Sequence, residues 1–171
     1  SERNFDMKPQ TFTWKKLTAD ELTRVYLDEM RRDFPPSELK PLSMILNSEA
    51  VGMAHTWGVF EGETLVSYLL MVRPMGCEVS QLDYFSVLPA YRSTGIGAKL
   101  LAALPAHEEG AKAILIEAEC PEAELMSYAI DLRSMTQSRG SFTMHFVRYE
   151  QCSADAQEKA VAAAKAMQEA E

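Results

Sequence analysis

Cysteine is scarce in this sequence, and cations are outnumbered. Three cysteines in 171 residues, Cys77, Cys120 and Cys152, are too few and too scattered for a disulfide framework or a zinc site. Reduced thiols in a cytoplasmic protein are the expectation. Lys and Arg number 17 against 25 Asp and Glu, a net charge of −8 with a pI near 5.0. That balance argues against a broad electrostatic grip on nucleic acid, which needs clustered cations. Long apolar runs are also missing, since a stretch such as Tyr68-Leu-Leu-Met-Val72 falls far short of a membrane span. The N-terminus lacks an apolar segment of the signal-peptide kind. The sequence opens on Ser1, so residues 1–6 are read as a processing or expression remnant, with Met7 as a natural start. What remains is ordinary for one folded domain: 47% hydrophobic and 25% charged residues, enough to bury a real core.

The local signals alternate between strand and helix. Residues 11–17 read as a short strand, after which Thr18 and Glu21 form a capping-box pattern. The helix that follows carries Leu22, Val25, Tyr26 and Met30 on one face, and must stop before Phe34-Pro35-Pro36. A second helix is expected over 37–47, with Pro41 as a possible interruption. Residues 55–60 and 64–72 read as two strands joined by Glu61-Gly62-Glu63, a hairpin signal. Another strand is expected over 81–87, a helix after Gly97, and a strand over 113–118. The alanine-rich end, from Ala154 to Glu171, reads as a terminal helix capped by Asp155 with Glu158 reaching back. The order predicts an α/β fold with an antiparallel front and a parallel crossover behind it.

The string Arg92-x-x-Gly95-x-Gly97 lies between a strand and an apolar helix. Glycines there let the backbone approach a ligand and take positive φ. The amides then converge on a helix N-terminus, where free N–H groups and the helix dipole favour an anion, here a pyrophosphate. The dinucleotide fingerprint and the lysine-bearing P-loop are both absent.

The strand ending in Val87-Leu-Pro89, the Tyr91-Arg92 step and the Gly95-Ile-Gly97 entry resemble the coenzyme A motif of the GNAT N-acetyltransferase superfamily, and the order of elements over roughly residues 10–119 is similar too. The resemblance implies a GNAT-like mixed sheet with helices on both faces. It implies acetyl-CoA as co-substrate, with Phe85, Ser86 and Val87 holding the pantetheine arm through their main chains. Amides of Arg92, Ser93, Thr94, Gly95, Ile96, Gly97 and Ala98 would take the pyrophosphate. Strand 113–118 would splay from strand 81–87 to leave the acyl group a slot. No metal is implied. The acceptor would be an amine on a small molecule or a protein, covered by the segment from Met30 to Met44, which reads equally as a connecting loop.

From about Glu119 the sequence departs from that pattern. Residues 119–150, above all 131–142, resemble the C-terminal part of the last domain of translation elongation factor G, without its GTP-binding domain. The chain therefore reads as a mosaic joined near 118–122: a single domain over 1–171, with a coenzyme A-binding part over 7–119 and a factor-like part over 120–171. Strand 113–118, a helix over 122–138 and a strand over 141–149 would make a split strand-helix-strand unit. The strand that fills its gap in either parent is missing, so the sheet is expected to close up or to accept a second copy of the chain, as a homodimer by strand exchange.

Two catalytic candidates follow. Tyr128 stands near the place of the superfamily's tyrosine acid, or is a packing residue inherited from the factor. Asp83 stands where some members place the carboxylate that deprotonates the amine, or is a solvated strand residue. Glu117 is a weaker base candidate, and His55, His107 and His145 are given no chemistry. The function expected is transfer of an acetyl group from acetyl-CoA to an amine. The alternatives are a coenzyme A-binding protein with little turnover, or a ribosome-associated protein acting through its tail. Neither a nucleic-acid partner nor a membrane is expected.

Overall fold

The computed structural model describes residues 11–120, 125 and 128–149, and residues 154, 157, 158, 161, 162 and 165 of the C-terminal stretch. The chain divides into two compact units, Ser1–Glu117 and Ala118–Glu171.

The first unit is built on a five-stranded sheet in the order β1-β2-β3-β4-β5. Its strands are β1 Thr13–Lys16, β2 Ala54–Glu61, β3 Thr64–Val72, β4 Val79–Val87 and β5 Ala113–Ile116. The first four pair antiparallel and β5 joins β4 in parallel. The expected α/β class holds, with helices on both faces. Helix α1 (Ala19–Val25) starts where the capping box requires: Thr18 Oγ1 accepts from the Glu21 N–H, and Glu21 Oε2 accepts from the Thr18 N–H at 2.9 Å. It runs on through a π turn, Tyr26–Met30, into α2, Arg31–Asp33. Phe34 then turns extended ahead of Pro35, as proline demands of its predecessor. The next helix, α3 (Leu42–Ala50), begins after Pro41 rather than at Ser37. Proline fits the start of a helix and obstructs its interior, so the expected interruption became the helix start.

Leu22, Val25, Met30 and Ile45 pack with Tyr68, Leu70 and Tyr84 on one face of the sheet. On the other face lies α4 (Ile96–His107), whose Ile96, Leu100 and Leu104 recur every fourth residue and are buried with Leu69, Met71 and Leu82. Leu82 and Tyr84 are two residues apart yet belong to opposite faces. The cause is a β-bulge: Leu70 pairs with Tyr84 and Met71 with Leu82, so Asp83 is left without a partner on β3 and the alternation is reset.

In the second unit, α5 (Tyr128–Met135) occupies the middle of the helix expected over 122–138. Gln137 and Ser138 take positive φ, and the Ser138 N–H returns to the Arg133 carbonyl at 2.8 Å, a left-handed termination that satisfies a late helix carbonyl. Residues 141–149, expected as a strand, make no strand pairing. Their apolar side chains Met144, Phe146, Val147 and Tyr149 are exposed. A strand needs a neighbour to bond, and alternation alone supplies none. Residues 154, 157, 158, 161, 162 and 165 are helical, as expected of the terminal helix; the Asp155 cap lies outside the described residues.

Candidate functional site

The β4–β5 ladder ends at Leu82 with Ile116. From Asp83 to Val87 the far side of β4 has no strand beside it among the described residues. On the β3 side, the Leu88 N–H bonds the Val66 carbonyl at 2.8 Å. Antiparallel main chains alternate between facing and leaving their partner, so Phe85 and Val87 turn their N–H and C=O groups toward the open side. Ser86, expected to join them, turns its main chain to β3, where its carbonyl also accepts from Ser67 Oγ at 2.8 Å. The rings and methyls of Phe85 and Val87 pack toward α4.

The chain leaves β4 through a 3-10 turn, Pro89–Tyr91. Tyr91 is tethered to Glu61 Oε2 at 3.1 Å, and Thr94 Oγ1 donates to the Tyr91 carbonyl. Ser93 and Gly95 both take positive φ, and Gly95 caps α4 with no side-chain hydrogen bond to the helix. Lys99 is the first residue of α4 to bond back, to Gly95 O at 3.4 Å. The amides of Ile96, Gly97 and Ala98 therefore open the helix without a capping group, the donor set that a pyrophosphate suits. A Cβ on Gly95 would meet no atom within 4 Å, whereas one on Gly97 would touch Val87 Cγ2 at 3.6 Å and Phe85 at 3.7 Å. The loop is thus open outward and lies close over β4. These residues fit a coenzyme A arm and pyrophosphate.

The Arg92 side chain turns inward. Its Nε donates to the Val87 carbonyl at 2.8 Å, and its Nη2 lies 3.1 Å from Asp33 Oδ1. Asp33 is almost fully buried and also accepts from Tyr68 and Ser86 hydroxyls, each at 2.8 Å, and from Arg32. Burial would push its carboxyl up, but the bonds from Ser86, Tyr68, Arg32 and Arg92 outweigh it and hold the pKa below the usual carboxylate value. Burial, reinforced by Asp33, pushes the Tyr68 hydroxyl well up. Asp33 was not singled out from sequence. A signal existed: a carboxylate ending a helix opposes the helix dipole and needs a cation such as Arg92 to keep it there.

Asp83 occupies the bulge at the point where β4 and β5 part. Its Oδ2 lies 2.5 Å from Lys40 Nζ. The segment that carries Lys40 is pinned to the sheet. The Tyr84 hydroxyl accepts from the Lys40 N–H at 2.8 Å and donates to the Glu38 carbonyl at 2.7 Å, and Tyr26 donates to the Lys40 carbonyl. The expected acceptor-covering segment is therefore fastened to the strand that carries Asp83. Tyr128 belongs to the second unit, where its ring meets Phe142 edge to face at 5.2 Å. Glu117 is exposed at the end of the first unit.

Two histidines take structural places. His107 stacks on Trp14 at 4.1 Å. His55 Nε2 lies 2.6 Å from Glu108 Oε1, which also accepts from Trp57 Nε1, while Ser80 donates to Oε2. Burial opposes the Glu108 charge, but the bonds from His55, Trp57 and Ser80 hold its pKa near 2. Among the described residues no group of three His, Cys, Asp or Glu side chains is placed to hold a metal ion.

A sequence model of the acetyltransferase (GNAT) family matches residues 14–128, well over half of the chain: the protein belongs to that family. A second model, the elongation factor G C-terminus, matches residues 105–160. Elongation factor G of Rhodopirellula baltica is 49% identical over 57 residues, 33% of this chain and 8% of that protein. Elongation factor G 2 of Trichodesmium erythraeum is 44% identical over 55 residues, again 8% of its length. The chain spans less than a tenth of these factors. It is a mosaic, and the two family matches overlap over residues 105–128. Among solved structures, a GNAT-family acetyltransferase from Bacteroides thetaiotaomicron aligns over 72% of this chain and 70% of its own, at 20% identity and a TM-score of 0.55. The ribosomal-protein-S18-alanine N-acetyltransferase from Escherichia coli aligns over 76% and 77%, at 18% identity and 0.53. These likenesses concern the fold.

Proposed function

We propose that the protein is an acetyl-CoA-dependent N-acetyltransferase acting on an amine acceptor. The observation that carries the reading is the half-open β4, whose Phe85 and Val87 main chains face outward beside the uncapped N-terminus of α4. Together they offer strand-like bonds to an amide-bearing arm and convergent N–H groups to its pyrophosphate. Acetyl-CoA would bring a thioester whose carbonyl carbon accepts a nucleophile. The chain supplies the Phe85 N–H and carbonyl and the Val87 N–H for the arm, while Arg92 Nε holds the Val87 carbonyl and Ser86 orients Arg92 and Asp33 from the other face. The amides of Arg92, Ser93, Thr94, Gly95, Ile96, Gly97 and Ala98 take the phosphates. Asp83 takes a proton from the acceptor ammonium, and Tyr128 protonates the departing thiolate.

The acceptor is a primary amine on a small molecule or a protein. A reducing, cytoplasmic setting belongs with this proposal, since Cys77 and Cys120 are free and exposed. A homodimer by strand exchange belongs with it too: the outer edge of β5 carries no strand among the described residues, and sedimentation would show a monomer if that part is wrong. Calorimetry with acetyl-CoA tests the whole, beside a Gly95→Glu variant that sets an anion in the cradle. One-site binding lost in the variant, with thiol release on adding mixed primary amines, is the expected result. Absence of binding by the parent chain overturns the proposal.

A further inference from the structure

The amine nearest to the candidate base is the protein's own. Lys40 Nζ lies 2.5 Å from Asp83 Oδ2 although the two residues are 43 apart in sequence. Three features make this more than a surface ion pair. The bulge sets Asp83 apart from the β3 ladder, and the end of the β4–β5 ladder puts it at the mouth of the open edge. The Lys40 main chain is held on both sides, by Tyr84 at its N–H and Tyr26 at its carbonyl. Its side chain is half exposed, whereas that of Asp83 is 15% exposed, so an accessible ammonium is delivered to a largely sheltered carboxylate.

Resting on the acetyl-CoA reading of the open edge, we infer that Lys40 is an acetyl acceptor and that the protein modifies itself there. Asp83 takes one proton from the Lys40 ammonium, and the freed Nζ lone pair attacks the thioester carbonyl carbon. The C–N bond forms, the C–S bond breaks, and the thiolate leaves with the electron pair and takes up a proton. The products are Nε-acetyl-Lys40, coenzyme A thiol and one proton released through Asp83. The acetamide carries no charge, so the ion pair is lost and Asp83 is left free for an external amine. Self-acetylation thereby clears the carboxylate that the unmodified Lys40 occupies.

Lys112 is an internal control. It forms a similar ion pair, with Glu78 at 2.8 Å, but beside the opposite end of the β4–β5 ladder, where Val79 pairs with Ala113. The experiment incubates the intact chain with acetyl-CoA and follows each lysine by peptide mass spectrometry, with calorimetry of acetyl-CoA binding in parallel. Lys40 is expected to acquire its 42-dalton mark about tenfold faster than Lys112 or more, as general-base assistance allows. Its rate should saturate with acetyl-CoA while that of Lys112 stays linear. Acetyl phosphate, a donor without the coenzyme handle, should show no preference for Lys40. Asp83→Asn should slow the Lys40 mark and leave Lys112 unchanged, and Lys40→Arg should remove the fast phase from the intact mass. Binding of acetyl-CoA without preference for Lys40 overturns this inference alone. A Lys40 preference equally strong with acetyl phosphate does so as well, since the lysine would then be merely reactive. Absence of acetyl-CoA binding overturns both this inference and the function on which it rests.

Discussion

Removing the Glu108 carboxylate should destabilise the first unit by a few kcal/mol, with a loss that depends on pH in a defined direction. The side chain is 1% exposed and is the common acceptor for His55, Trp57 and Ser80. Its pKa is held near 2 against an ordinary 4.5. At about 1.36 kcal/mol per unit, the folded state gains about 3 kcal/mol from the ionised form. Because the folded pKa is the lower one, that contribution is complete above about pH 5 and disappears as pH falls from 4.5 toward 2. In Glu108→Ala the indole N–H of Trp57 and the hydroxyl of Ser80 also lose their acceptor in a buried place. Urea unfolding followed by tryptophan fluorescence reads the effect directly, since Trp14 and Trp57 both lie in this unit. The variant should lose about 3 kcal/mol or more at pH 7, and about 2 kcal/mol less than that at pH 3. Glu108→Gln should show a flatter pH dependence than the parent between pH 5 and 2. A Glu108→Ala variant within about 0.5 kcal/mol of the parent at pH 7 would refute the reasoning, as would equal losses at pH 7 and pH 3.

Gly95→Ala should cost about 1 kcal/mol of stability, since φ is +77° there and no atom crowds the added methyl; an unchanged unfolding midpoint would count against the left-handed turn. Asp33→Asn should release Arg92, weakening acetyl-CoA binding severalfold and removing about 1–2 kcal/mol of stability; calorimetry showing the parent affinity would mean that Arg92 does not brace the loop. Tyr128→Phe should lower the turnover of amine acetylation tenfold or more while leaving the acetyl-CoA dissociation constant alone. Unchanged turnover would assign Tyr128 to its packing against Phe142.

Local chemistry made much of this fold legible. The capping box at Thr18, the Gly62 turn and the Phe34-Pro35 stop depend on residues a few places apart, and β3 runs over the residues expected of it. The glycine entry to α4 was readable for the same reason: a left-handed residue followed by an apolar helix is a local event. What escaped notice depends on distant partners. Asp33 meets Ser86 and Arg92 from 53 and 59 residues away, and Lys40 meets Asp83 across 43. The bulge at Asp83 was hidden because a reset in alternation looks like noise within nine residues. Residues 141–149 misled for the opposite cause. Their pattern is that of a strand, but alternation alone does not bring a neighbouring strand within bonding distance.

The bulge in β4 also bears on what a change of chain length would do at this point. Between Gln81 and Val87, Asp83 alone lacks a partner on β3, and Leu82 and Tyr84 on either side of it already face opposite layers. A one-codon deletion of Asp83 would therefore bring together two residues in ordinary alternation, with Leu82 still toward α4 and Tyr84 still toward the α1–α3 layer. What would go is the carboxylate that meets Lys40, together with the local twist that a bulge adds. The extra residue is dispensable to the packing of both layers, so the strand can lose its candidate base without losing its fold.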